Sequence, residues 1–239
     1  MDHVGSSRLY NWRARSLFIG QPFGLTPHRN AVDVLAMGLD RSFAASQGMD
    51  PDYRIVRSLH IPANTLHHLR GIEGRMAFLY VDPLDIDREV IATLETEIRQ
   101  VIERLAGDGD WQAARRDLRT LISSPNASSV DPRIAAAVKR LRGNPGERPS
   151  LAEVACGVGL SASRFRHLFI AATGVPYRRF LIWTGIGEAI RAARAGMDLT
   201  AAAHQGGFSS SAHFSFTFRQ MFGLAPSELL ASLGSSGDR

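Results

Sequence analysis

Between residues 15 and 82, short apolar stretches alternate with turn-forming residues. The apolar stretches are 16–19, 32–37, 53–61 and 76–81, and the turns include Gly20-Gln21-Pro22 and Pro62-Ala63-Asn64. This spacing predicts the strands of a small sandwich or barrel. At Asp82-Pro83 the period changes. Ile86, Val90, Ile91, Leu94, Ile98, Val101, Ile102 and Leu105 recur at helical spacing, which predicts a helix over 85–106. Gly107-Asp108-Gly109 stops it, and a second helix is predicted over 111–122. Residues 123–130 (SSPNASSV) have the composition of a linker. The apolar stripe of 85–106 suits either packing on its own sandwich or an interface with a second copy.

Beyond the linker every pattern is helical. Pro132 starts a helix over 133–142, where its missing N–H costs little, and Gly143-Asn144-Pro145 ends it. An internal repeat follows. Leu151-Ala152-Glu153-Val154-Ala155 precedes Gly159-Leu160-Ser161, then Phe165, Phe169, Gly174 and Pro176. Leu199-Thr200-Ala201-Ala202-Ala203 precedes Gly207-Phe208-Ser209, then Phe214, Phe218, Gly223 and Pro226. The offset is 48 residues up to the serine and 49 after it, so the second copy carries one inserted residue. Each copy spells a helix-turn-helix, over 151–173 and 199–222. A short helix ends at a glycine suited to positive φ. An apolar plug follows, and Ser161 or Ser209 stands where an N-cap is wanted.

Helical phase turns the phenylalanines inward. Ser163, Arg166, His167 and Ile170 face outward in the first copy, and Ala212, Ser215, Phe216 and Arg219 in the second. The second helix of such a unit lies in the DNA major groove. The candidate DNA-contacting set is Ser163, Arg164, Arg166, His167, Ser211, Ala212, Ser215, Phe216 and Arg219. Between the copies, residues 176–196 predict a stiff spacer close in length to the separation of successive major grooves. Gly185 and Gly187 within it suggest close helix packing.

Charge sharpens this picture. Residues 1–127 hold 15 basic and 16 acidic side chains, and residues 128–239 hold 13 and 7, so the formal +5 sits in the second half. An anionic partner, double-stranded DNA above all, fits that half. All the basic residues but Lys139 are arginines, in both halves alike, which points to codon usage rather than to a binding site. A single cysteine, Cys156, excludes an intrachain disulfide and a Cys-rich zinc site. No apolar run is long enough to predict a membrane span, and the first 20 residues lack a secretory pattern. A cytoplasmic, nucleoid-associated protein is the expectation.

Residues 131–233 resemble the AraC/XylS family of bacterial transcription regulators. The most specific part is LTAAAHQGGFSSSAHFSFTFRQMFGLAP, residues 199–226, which is similar to the family's C-terminal signature. The resemblance implies an all-α domain with two helix-turn-helix units. It implies base contacts from Ser163, Arg166 and His167 and from Ala212, Ser215 and Phe216. Two positions depart from the family pattern: Phe216 stands where arginine is usual, and Gly185 lies near another usual arginine. The first unit is therefore expected to supply most of the sequence discrimination.

The N-terminal part resembles the cupin-like sensor domains of this family. LHIPANTLHH (59–68) is similar to the cupin turn with Asn64 in place of glycine, and MAFLYVDP (76–83) to a closing strand. His28, His67 and His68 are candidate effector-binding residues if they converge. The usual His-X-His and glutamate are missing, since Asn30 occupies the second histidine position, and neither a metal nor a cofactor is expected.

The expected architecture is α+β and multidomain. A cupin-like sandwich over 1–82 precedes dimerisation or linker helices over 83–127 and an all-α DNA-binding domain over 128–239. The expected function is sequence-specific transcriptional regulation without enzymatic activity, in a homodimer, with RNA polymerase a candidate partner and the N-terminal domain either binding a small-molecule effector or serving only structure and dimerisation. A metal-binding cupin enzyme and a protein-interaction module with a degenerate DNA-binding domain are the alternatives.

Overall fold

A computed structural model describes residues 7–12, 15–48, 52–70, 73–82, 84, 91, 93–122 and 130–234. Nine strands come first: β1 (Arg8–Trp12), β2 (Arg15–Gly20), β3 (His28–Arg29), β4 (Asp33–Gly38), β5 (Phe43–Gln47), β6 (Arg54–Val56), β7 (Ser58–Ile61), β8 (Leu66–Arg70) and β9 (Met76–Val81). They form a five-stranded sheet in the order β1-β2-β9-β4-β7 and a four-stranded sheet in the order β3-β8-β5-β6. All pairings are antiparallel. A turn links β7 and β8. Asn64, in the glycine position, adopts φ 63°, a left-handed conformation that asparagine tolerates better than most residues.

The five-stranded sheet is covered on both faces, which explains why β4 is buried along its whole length. Strand alternation sends Phe18, Val34, Ala36, Met76 and Phe78 into the sandwich, where Phe43, Ala45 and Leu69 of the other sheet meet them. It sends Leu17, Leu35, Met37, Leu79 and Val81 to the opposite face. Among the described residues two helices cover that face, α1 (Glu95–Asp108) and α2 (Trp111–Leu121). Ile91, Ile98, Val101, Ile102 and Leu105 are buried there with Leu118 and Ile122. From Ile91 onward the apolar stripe is thus buried within the chain. Ile86 and Val90, the first predicted positions of that stripe, and the linker residues 123–129 lie outside the described residues.

Seven helices follow: α3 (Pro132–Gly143), α4 (Leu151–Gly157), α5 (Ala162–Thr173), α6 (Tyr177–Arg194), α7 (Leu199–Gln205), α8 (Ser211–Phe222) and α9 (Pro226–Leu233). Two cores hold them. Ile134, Val138, Leu141, Val154, Phe165, Phe169, Phe180 and Leu181 form one, around α4 and α5. Ile186, Ile190, Ala203, Phe208, Phe214, Phe218 and Met221, around α7 and α8, belong instead to the core of the β-sandwich. The second helix-turn-helix unit is therefore seated on the N-terminal domain. Polar contacts reinforce the seat. Thr26 donates to the Gly223 carbonyl from its N–H at 2.9 Å and from its hydroxyl at 3.1 Å. Arg179 donates to the Arg29 carbonyl, and Arg142 pairs with the buried Asp82.

Candidate nucleic-acid interface

The second helix of each unit, α5 or α8, is positioned by side-chain caps and by phenylalanines. Before α4, Ser150 and Glu153 form a reciprocal capping box. The turn into α5 passes through Gly159 at φ 69°, and the Ser161 hydroxyl accepts the Arg164 N–H at 3.2 Å. In the second unit the Asp198 carboxylate accepts the N–H groups of Thr200 and Ala201, and Gly207 turns at φ 77°. Here the cap differs from the sequence expectation. Ser210, not Ser209, is extended and accepts the His213 N–H at 3.1 Å, while the Ser209 hydroxyl meets the His213 ring. The inserted residue lengthens the turn by one position before the helix begins.

Phe165, Phe169, Phe214 and Phe218 are fully buried, which fixes the rotation of α5 and α8. Ser163, Arg164, Arg166, His167 and Ile170 are consequently exposed on α5. Ala212, Phe216 and Arg219 are exposed on α8, with Ser211 and Ser215 half-buried. Phe216 is 64 % exposed, although a phenylalanine is ordinarily an inside residue. Both faces are thus built alike. An apolar side locks the helix, and a row of small, basic and apolar side chains stands free at its opposite side.

The spacer α6 holds the units together, and its two glycines differ. Gly185 packs against Gly206 at the end of α7. Arg148, from the loop before α4, donates to the same Gly206 carbonyl and to that of Pro145 at 2.9 Å. Its guanidinium lies 5.5 Å from the centre of the Phe208 ring, and burial pushes its pKa down. Arg148 thus ties the first unit's entry loop to the second unit's turn. Sequence reading missed it, and the arginine expected near Gly185 was the only pointer. Gly187, expected to pack closely, has open space where a Cβ would stand and instead lines a cavity.

That cavity, about 380 Å³, lies between the sandwich and helices α6, α8 and α9. Its wall is largely aromatic and aliphatic, with Phe18, Phe78, Tyr80, Trp183 and Phe222 prominent, and Arg15, Arg142 and Arg191 also line it. Trp183 stacks on Phe222 at 5.7 Å. His28 and His67 face each other across β3 and β8, their rings 4.2 Å apart. His28 Nδ1 donates to the Thr26 carbonyl at 2.7 Å and His67 Nδ1 to that of Thr65 at 3.0 Å. Burial, first of all, lowers their pKa values to about 3 and about 4, so both are neutral. In that tautomer His67 Nε2 accepts from the Asn30 amide at 3.3 Å.

Residues 133–232 match the helix-turn-helix domain family, spanning both units. Residues 133–232 thus belong to that helix-turn-helix family. No curated protein matches the chain. Solved structures of ToxT from Vibrio cholerae are similar to this chain in fold. The apo form of a ToxT variant superposes with TM-score 0.64 at 12 % identity, covering 93 % of this chain and 99 % of that one. ToxT bound to an unsaturated fatty acid gives 0.62 at 12 % identity, with both chains fully covered. ToxT bound to (E)-4-(8-methylnaphthalen-1-yl)but-3-enoic acid gives 0.59 at 12 % identity, covering 96 % of this chain and 100 % of that one.

The three candidate histidines do not converge. His28 and His67 line the cavity, but His68 points to the other face of β8. There its Nε2 donates to the Leu25 carbonyl at 2.9 Å and its Nδ1 accepts from the Tyr53 hydroxyl at 2.6 Å. Adjacent strand residues face opposite ways, so the pair His67 and His68 could not share a pocket. Among the described residues, no group of three or more His, Cys, Asp or Glu is placed to hold a metal ion. Nor is any described helix long and apolar enough to cross a membrane.

Proposed function

We propose that α5 and α8 read two successive major-groove segments of one operator, and that a small apolar effector in the interdomain cavity governs how they are presented. The observation that carries the first part is the matched pair of outward faces. Arg166 and His167 on α5 and Ser215, Phe216 and Arg219 on α8 occupy the base-facing side, with Ser163 and Ala212 one turn earlier. Arg164 and Ser211, in the first turns, lie near the helix N-termini that favour phosphate. The α6 spacer, 18 residues and so roughly 27 Å long, approaches the ~34 Å separation of adjacent grooves. Arg148 and the Gly185–Gly206 contact keep that spacing fixed.

The effector reading rests on the cavity. Apolar walls suit a largely apolar molecule, the lining arginines Arg142 and Arg191 being paired with Asp82 and Glu188 of the same wall, and ToxT, similar in fold, is known bound to an unsaturated fatty acid and to a naphthalenyl-butenoic acid. His28 and His67 supply a neutral polar wall. Because the cavity joins both domains, a ligand there contacts the sandwich and the second unit together, and it alters DNA affinity only so far as it favours one arrangement of the two.

Titration with oleic acid, followed by Trp183 fluorescence, tests the cavity. We expect saturable quenching, lost in Gly187→Leu, whose side chain would occupy the open space. Equal response in wild type and Gly187→Leu would contradict it. DNA selection from a random pool tests the regulator reading, with an enriched motif spanning two grooves expected.

A further inference from the structure

The outward positions of the two recognition helices correspond at an offset of 49 residues. Ser163 matches Ala212, Arg166 matches Ser215, His167 matches Phe216, and Ile170 matches Arg219. On α5 the central Arg166 donates hydrogen bonds and His167 can donate or accept them. On α8 the matching positions hold a short hydroxyl, half-buried, and a bare phenyl ring. The two helices have the same scaffold and opposite chemistry.

We infer that Phe216 recognises the C5-methyl group of a thymine, so that the second unit reads its half-site by apolar contact while the first reads by hydrogen bonds. The inference rests on the reading of α5 and α8 as base-contacting helices.

Three features support it. First, the ring is not required by the fold. The four core phenylalanines of α5 and α8 are 0–1 % exposed, whereas Phe216 is 64 % exposed. Second, its surroundings let it reach. Ala212, one turn before, and Ser215, beside it, are small, so the helix can approach base edges with the ring leading. Third, a phenyl ring has no donor or acceptor. It cannot distinguish guanine O6 and N7 from adenine N6 and N7, and the apolar group displayed in the major groove is the thymine methyl. Arg219, three residues on along the same face and exposed, is placed to hold a nearby phosphate or guanine and so to set the register. The operator should therefore be asymmetric, with a hydrogen-bonded half-site and a thymine-dependent one.

The test removes only the methyl. An operator is first obtained by selection with the full chain. Each thymine in the second half-site is then replaced singly by uracil, and affinity is measured by fluorescence anisotropy for wild type, Phe216→Ala and Arg166→Ala. One replacement should weaken wild type about fourfold, the effect of one buried methyl, and leave Phe216→Ala nearly unchanged. Arg166→Ala should keep the wild-type sensitivity. At the same position, 5-methylcytosine should bind wild type better than cytosine. A selected operator whose every uracil replacement affects wild type and Phe216→Ala alike would overturn the methyl contact and leave the regulator reading intact. Failure to select any motif would overturn sequence-specific reading itself, and the methyl contact with it.

Discussion

Gly185 of α6 and Gly206 at the end of α7 lie backbone against backbone, and a Cβ on Gly185 would collide with the Gly206 carbonyl oxygen and the Arg148 guanidinium. This contact sets the angle between the spacer and the second unit. Gly185→Ala should therefore destabilise the chain by about 1–3 kcal/mol through overpacking. Two positions on, Gly187 has open space around it. Gly187→Ala should stabilise by up to about 1 kcal/mol, because alanine is the better helix former. Urea denaturation of both variants checks the opposite signs.

Arg148→Ala should loosen the coupling between the units while leaving each core of phenylalanines in place. A two-groove operator should lose affinity by about tenfold or more. Half-sites presented alone should bind as before. Equal losses on half-sites and full sites would mean that Arg148 acts elsewhere.

Arg166→Ala should cost about 1–3 kcal/mol at the selected operator and relax preference at one base pair. Arg164→Ala, in the first turn of α5, should weaken all sequences alike and reduce the salt slope by about one. Anisotropy titrations at several salt concentrations separate the two patterns.

His28 and His67 predict acid sensitivity. Burial holds both neutral in the folded chain, with pKa values near 3 and 4 against 6.5 for the ordinary side chain. Above pH 6.5 neither state is protonated, and their contribution is complete. Below it the unfolded chain takes up protons that the folded chain refuses, so stability falls until the folded values are reached. Each imidazole contributes a slope of up to about 1.4 kcal/mol per pH unit in that window. His28→Gln should flatten the plot of unfolding free energy against pH between 6.5 and 4, as measured by urea titration. An unchanged slope would contradict this account.

The helical half was legible because its signals are local. Phenylalanines at four-residue spacing, cap serines and positive-φ glycines each act within one turn. The insertion misplaced one cap, since adjacent serines at 209 and 210 look alike until the extended backbone at Ser210 is seen. The sandwich was half legible. Strands β2, β4 and β9 carry apolar runs, whereas β1 (RLYNW), β5 (FAASQ) and β8 (LHHLR) are short and mixed, and their pairing supplies what their composition lacks. The cavity and the Arg148 junction were not legible. They join residues far apart in the chain, such as Arg148 and Gly206, 58 positions distant, and no local pattern encodes such a meeting.

The central claim is that two helix-turn-helix units read one operator. The most direct test is anisotropy of the full chain on its selected operator and on random DNA, with the footprint mapped by hydroxyl radicals. The account predicts binding to the operator at least 1,000-fold tighter than to random DNA, with two protected segments about one helical turn apart. Equal affinity for both DNAs, or a footprint confined to one segment, would contradict it.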